Sequence, residues 1–409
     1  MSNAIPYGWD ENKLEQITRV IDSAHQTPQF SNSGIPMVRV GDINGGKVSL
    51  DNTKFVTEEI YKIFAKNHEP AFNDILMTRV GSYGRSSIVK TDKKFCLGQN
   101  TVVINPKSVD SDFLFQFLQT ENVAKQVEDT VGGSSQKSLS LAAIKSLNIL
   151  TPPLSEQQKI AKILTSVDEV IEKTQTQIDK LKDLKSGLKQ ELLTNGIGHA
   201  EFKDSPVGKI PADWAVKKFG DITLEHKQGY YSKNKYTIDG TYIIRITDMQ
   251  NPYISFDEMP KMQVSDKDKE AYEVLNGDFL FARSGAIGRY GIFDSNNEAV
   301  FASYLIRFRF DVQEALNEFV GFWYESDVCQ KQLGTITQGS SNININAQNI
   351  KELKIPIPSI CEQRKITEAI LSVVKKITST EQKLNALKNT KIALMQDLLT
   401  GKVRVKVDS

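Results

Sequence analysis

Thr151-Pro152-Pro153-Leu154-Ser155-Glu156-Gln157-Gln158-Lys159-Ile160 decides the architecture, because it is matched about 206 residues later by Ile357-Pro358-Ser359-Ile360-Cys361-Glu362-Gln363-Arg364-Lys365-Ile366. Behind each decapeptide runs an apolar stripe. The first reads Ile160, Leu164, Val167, Ile171, Thr174, Ile178, Leu181, Lys185, Leu188, Leu192; the second reads Ile366, Ile370, Val373, Ile377, Thr380, Leu384, Leu387, Lys391, Leu394, Leu398. Steps of four and three alternate, which is the seam pattern of a coiled coil, and the Thr and Lys interruptions recur in both copies. Pro152-Pro153 ends what precedes, Ser155 can cap, and Glu156 enters the first turn. The spacing predicts a helix over 155–193, about 58 Å long at ~1.5 Å per residue. Two matching seams on one polypeptide predict helices that pair within the chain; a dimerisation coil between two chains is the other reading. Ser359 and Cys361 replace Pro153 and Ser155 in the second copy, which predicts weaker capping there.

The match extends outward from the helices, and a repeat found early prevents misreading the whole fold. Gly133-Ser134-Ser135 answers Gly339-Ser340-Ser341, and Arg39 and Asp42 answer Arg245 and Asp248. With a two-residue slip, Asp74-Ile75-Leu76 through Arg79, Gly81, Gly84 and Arg85 answers Asp278-Phe279-Leu280 through Arg283, Gly285, Gly288 and Arg289. Each half is a globular part followed by a helical part. Buried strands are predicted over 35–40, 101–104, 241–246 and 305–308, and amphipathic helices over 113–127 and 315–333. Segment 202–211, polar and containing Pro and Gly, reads as a linker that restarts the pattern. The fold class is therefore α+β, two tandem mixed α/β domains each followed by a long helix. The expected boundaries are 1–154, a helical region 155–196, a linker and second domain 197–359, and a C-terminal helical region 360–409.

At 409 residues, with 39% hydrophobic and 25% charged residues, the chain has the composition of ordinary globular domains. No run approaches the ~18 apolar residues that span a bilayer, and the first residues lack the pattern of a secretory signal, so a cytoplasmic protein without membrane contact is expected. Three isolated cysteines and four histidines form no ligand cluster, which predicts neither structural metal nor disulfides. A net charge of +1 excludes nucleic-acid binding by a bulk basic field; any such binding must be local.

Motifs for chemistry are absent. Gly41-Asp42-Ile43-Asn44-Gly45-Gly46-Lys47-Val48 resembles a P-loop, but Val48 stands where Ser or Thr must meet magnesium, and a hairpin turn is the better reading. Asn251-Pro252-Tyr253 resembles the Asn-Pro-Pro-Tyr signature of adenine methyltransferases, yet it lacks a proline and no glycine-rich cofactor loop precedes it. No nucleophile elbow and no Cys/His pairing occurs. What remains is doubled: the Arg39/Asp42 and Arg245/Asp248 pairs, the loops carrying Arg79, Gly81, Gly84 and Arg85 or Arg283, Gly285, Gly288 and Arg289, and the hydroxyl and amide donors Ser134, Ser135, Gln136 and Ser340, Ser341, Asn342. Glycines admit close backbone approach to phosphate and arginines supply forked charge, so these residues are candidate DNA contacts. Tight turns with solvated arginines, and internal strand-end ion pairs for Arg39 and Arg245, are the structural alternatives. Segments between the shared motifs, such as 44–73 and 250–276, look unrelated, so each domain would read a different short sequence. Helices of ~58 Å would hold the readers at most about 17 base pairs apart at ~3.4 Å per step.

Pro-Pro-Leu-Ser-Glu-Gln-Gln-Lys-Ile opening a long helix, Leu192-Leu193-Thr194-Asn195-Gly196 near its end, and Phe202-Lys203-Asp204-Ser205-Pro206-Val207-Gly208-Lys209-Ile210-Pro211 leading to Trp214 resemble the DNA specificity subunit of type I restriction-modification systems over nearly the whole chain. The resemblance implies two target recognition domains, each binding half of an asymmetric bipartite site, and helices that pack as an antiparallel coiled coil. It implies no catalytic activity and no cofactor on this chain. The implied partners are double-stranded DNA, two methyltransferase (modification) subunits and a restriction subunit. Under it Glu156, Gln157 and Ile160, with Glu362, Gln363 and Ile366, are candidate partner-binding residues; capping and packing of the helices is their alternative role. Two rival functions stand beside this one: an enzyme such as a fused methyltransferase or nuclease, and a coiled-coil interaction scaffold that never touches DNA.

Overall fold

The computed structural model describes residues 5–131, 138–231, 235–286, 288–337 and 345–406. Two long helices dominate it: α1, Leu154–Asn195, of 42 residues, and α2, Ile360–Leu398, of 39 residues. The chain divides into two units. One joins Met1–Thr176 to Glu381–Ser409, and the other is the continuous stretch Gln177–Thr380. Each helix therefore gives one half to each unit.

Within the first unit Ile160 and Leu164 of α1 share a core with Leu394, Leu398 and Leu399, and Lys391 pairs with Asp168 at 2.7 Å. Low numbers on one helix meet high numbers on the other, so the pairing is antiparallel. The second unit repeats this with Leu192 and Leu193 beside Ile366 and Ile370. The seam positions are buried or half-buried along both helices. Thr174 and Thr380 stay inside the seam because each hydroxyl donates to the carbonyl four residues back, at 2.7 and 2.6 Å.

Capping differs from expectation. Helix α1 starts at Leu154, ahead of Ser155, with the Glu156 and Gln157 amides both directed at the Pro153 carbonyl. At α2 the Ser359 hydroxyl accepts from the Glu362 amide at 3.3 Å. The second copy is thus capped rather than weakened, because the cap position falls two residues before Cys361.

The globular part of each unit carries the same two sheets. In the first unit Thr18–Asp22, Thr101–Pro106, Ile75–Thr78 and Ser86–Ile88 lie side by side in that order, all antiparallel. In the second the order is Thr223–Gln228, Leu305–Phe310, Phe279–Ala282, Tyr290–Ile292. The smaller sheets, Lys54–Val56 with Ile35–Val38 and Cys96–Leu97, and Lys261–Met262 with Thr241–Ile244 and Ala299–Phe301, each contain one parallel pair. The cores diverge: aliphatic Ile75, Met77 and Ile104 stand where the second unit buries Phe279, Phe281 and Phe308. Phe281 also meets Tyr324 edge to face at 4.7 Å, an arrangement worth ~1 kcal/mol beyond burial.

Three expectations are corrected. Each of the helices over 113–127 and 315–333 is broken in two: Ser111–Phe117 precedes Glu121–Val131, and Asn317–Tyr324 precedes Asp327–Thr337. A hydroxyl opens the second piece each time, with Thr120 accepting from Val123 and Ser326 accepting from Cys329. The 202–211 linker is a β-hairpin, Phe202–Ser205 against Gly208–Pro211, anchored by buried Val207 and Ile210. Segment 41–48 is no hairpin: Gly45 and Gly46 take positive φ, and Lys47 then forms a parallel bridge to Ile88. Asn251-Pro252-Tyr253 is a tight turn in which the Gln250 amide donates to the Tyr253 carbonyl. Among the described residues, no helix is long and apolar enough to cross a membrane.

Candidate nucleic-acid interface

Both predicted strands over 35–40 and 241–246 stop early, at Val38 and Ile244, because an arginine starts a short turn there. The Asp42 carboxylate accepts from the Arg39 amide at 2.9 Å and from its guanidinium at 3.1 and 3.3 Å. Asp248 holds Arg245 the same way at 2.8, 3.0 and 2.7 Å, and Arg245 also donates to the Glu258 carbonyl at 3.0 Å. These are strand-end ion pairs, but they leave the arginine side chains 38% and 31% exposed. Hydrogen bonding to Asp248 pushes the Arg245 pKa above its ordinary value, so its charge is permanent.

The glycine loops close against these turns. Exposed Arg85 donates to Asn44 at 3.3 Å, two residues past Asp42; exposed Arg289 donates to the Ile246 carbonyl at 3.4 Å, inside the 245–248 turn. Each unit therefore gathers its two arginine motifs onto one surface. The glycines split by role. Gly81 and Gly285 take φ of +68° and +79° with nothing within 4 Å of a Cβ position, so their backbone faces open space. Gly84 and Gly288 are turned inward, where a Cβ would meet Val127 and Gln330 at 3.1 Å. Close approach to phosphate is open at the first pair only.

The remaining arginine of each loop behaves differently in the two units. Arg79 donates through Nη1 to both Asp22 oxygens at 2.8 Å and through Nε to the Leu139 carbonyl at 3.1 Å. Arg283 has no side-chain hydrogen bond among the described residues, and its Nε is buried without a partner. Neither Asp22 nor its absence in the second unit was visible in the motif spacing; the signal lay in the cross-strand register. Ser134, Ser135, Gln136, Ser340, Ser341 and Asn342 lie outside the described residues.

The six candidate partner residues are engaged within the chain. Ile160, Gln363 and Ile366 are fully buried, and Glu156 and Gln157 are nearly so. Gln157 accepts from the Asp110 amide and donates to the Pro152 carbonyl, both at 2.8 Å; Gln363 accepts from Leu316 at 2.9 Å and donates to Pro358 at 3.0 Å. Glu156 accepts from the Trp9 indole at 3.3 Å and twice from Arg404 at 2.7 Å. Glu362 accepts from the Trp214 indole at 3.1 Å, from His199 at 2.8 Å and from the Ile197 amide at 2.9 Å. Among the described residues no group of three or more metal-ligating side chains converges.

A family described as the type I restriction modification DNA specificity domain matches twice, over residues 6–183 and 211–389. The type I restriction enzyme MjaVIII specificity subunit of Methanocaldococcus jannaschii is 26% identical over 382 residues, covering 91% of this chain and 89% of its own. The EcoKI specificity subunit of Escherichia coli K12 is 20% identical over 410 residues, covering 93% and 85%. Among solved structures, the S subunit of a type I restriction-modification system from M. genitalium superimposes with a TM-score of 0.61 at 16% identity, covering 97% of both chains.

Proposed function

The chain belongs to the family of type I restriction-modification DNA specificity subunits, and on that premise we propose how its two units divide the work of reading DNA. The chain is the non-catalytic, sequence-reading part of such a complex. Each globular part, 1–154 and 197–359, reads one half of a bipartite target in double-stranded DNA. The helical regions 155–196 and 360–409 join the readers and carry the modification subunits, with a restriction subunit joining the complex.

The observation that supports this reading best is the shared surface of each unit, where Arg85 reaches the turn begun by Arg39, and Arg289 the turn begun by Arg245, from loops whose Gly81 and Gly285 face open space. The exposed guanidiniums hold phosphates, and the divergent segments 44–73 and 250–276 supply different base contacts from one frame. Because Glu156, Gln157, Ile160, Glu362, Gln363 and Ile366 are occupied inside the chain, they shape the ends of the helices, and the exposed side chains around them meet the modification subunits.

Selection from a random DNA library, with and without the modification subunits, tests the proposal. Recovery of two unlike short motifs at a constant gap is expected. A single motif would remove one reader, and no enrichment under either condition would leave the coiled-coil scaffold without DNA binding as the account.

A further inference from the structure

The register of the four-stranded sheets fixes an equivalence the motifs do not show. Asp22 stands opposite Val102, which stands opposite Met77, two residues before Arg79. Gln228 stands opposite Ile306, which stands opposite Phe281, two residues before Arg283. The next amides agree, since Ser23 donates to Thr101 and Gly229 to Leu305. Gln228 thus takes the place of Asp22. An anion that locks Arg79 in the first unit is replaced by an exposed neutral amide in the second.

The backbones around the two arginines are otherwise alike. Arg79 donates its amide to the Asn100 carbonyl and receives Leu139; Arg283 donates to Tyr304 and receives Ile345. The residue whose carbonyl accepts from the Arg283 amide is therefore a tyrosine, and it is 62% exposed. A guanidinium with no side-chain hydrogen bond among the described residues, at the end of a strand whose partner strand begins next to an exposed aromatic residue, offers what proteins use to hold nucleic acid, one supplying charge and the other a flat face.

Resting on the DNA-reading function proposed above, the geometry points to Arg283 as a phosphate-contacting residue of the second unit, while Arg79, its repeat counterpart, is an internal strut. The two readers are thereby unequal in their grip on the backbone. Phosphate rather than a base edge is the partner because Arg283 opens a loop whose Gly285 leaves its backbone facing open space, where a phosphate can approach closely. The difference is written by one residue on the neighbouring strand, Asp22 against Gln228.

Binding of the full chain, with its modification subunits, to its selected duplex as a function of salt tests this. Arg283→Ala is expected to weaken binding about tenfold at low salt and to reduce the salt slope by about 1. Arg79→Ala is expected to lower the melting temperature while leaving the slope unchanged. Gln228→Asp supplies the missing carboxylate and is expected to mimic Arg283→Ala, with no further effect when Arg283 is already alanine. Wild-type binding with Arg283→Ala unchanged in affinity and slope would overturn the assignment alone. So would a Gln228→Asp defect that persists undiminished in the Arg283→Ala background, since that is plain charge repulsion. Absence of wild-type binding would instead sink the DNA-reading function, and the assignment with it.

Discussion

Trp9 and Glu156 lie 147 residues apart and meet at 3.3 Å, and Trp214 and Glu362 lie 148 residues apart and meet at 3.1 Å. In both units the indole at the start of the domain donates to the carboxylate in the first turn of the following helix. The second side-chain partner differs: Arg404 grips Glu156, whereas His199 faces Glu362. A tail that follows a long helix thus returns to the head of its own unit.

Glu362→Ala removes an acceptor shared by Trp214, His199 and Ile197. The expected cost is about 2 kcal/mol, since three donors are left in a half-buried site. Chemical denaturation should show it as a lower midpoint for the second unit, with little change in the first. Equal losses in both units would mean that this cluster is not local.

Gly401 takes φ of +70°, and a Cβ there would meet Pro6 at 2.5 Å. Gly401→Ala is therefore expected to lower the melting temperature of the first unit by several degrees, combining backbone strain with a clash against a rigid ring. Limited proteolysis should report a freed C-terminal tail.

Thiol reactivity should divide the three cysteines. Burial pushes the Cys96 thiol up to about 12 and raises Cys329 well above its usual value, while Cys361 is exposed. A disulfide-exchange reagent should titrate one thiol in the native protein and all three in denaturant. Rapid reaction of Cys96 or Cys329 would contradict the packing of its core.

Acid should act on the second unit through Glu225. Burial alone would raise its pKa, but the Arg307 and Arg309 guanidiniums outweigh that and hold the carboxyl below its ordinary value. With the folded pKa depressed, the stabilisation is present above the ordinary carboxylate range and is lost as the pH falls through the folded value. Glu225→Gln should lower the melting temperature at neutral pH and flatten its decline with acidification, so that variant and parent converge at low pH.

Arg85→Ala and Arg289→Ala remove exposed charges from the two candidate surfaces. Each is expected to weaken DNA binding without altering stability, and the double variant should shallow the salt slope by about 2. Loss of stability in place of affinity would return these arginines to a structural role.

Periodicity made the long helices legible, because ten seam positions per copy exceed what chance supplies, and the duplication followed from the same residues. Helix breaks at Thr120 and Ser326 were not legible: the apolar stripe continues across them, and only the hydroxyl caps reveal the interruption. Arg79 and Arg283 stood out by type and spacing, but their separate uses depend on Asp22 and Gln228. Those residues are distant in sequence and are brought near by strand pairing. Glu156 was legible as a residue of the first helical turn, but its burial was not, because its donors Trp9 and Arg404 lie at opposite ends of the chain.

The first unit is assembled from both ends of the polypeptide, and the second from one uninterrupted stretch. Synthesis runs at ~5–20 residues per second, so the N-terminal unit waits roughly 10–40 s for the half of α2 that covers Ile160 and Leu164. The unit made later is the first to be complete. During the wait, the uncovered seam of α1 is a surface for chaperones or for another nascent chain, and slow codons within 177–380 would lengthen that exposure.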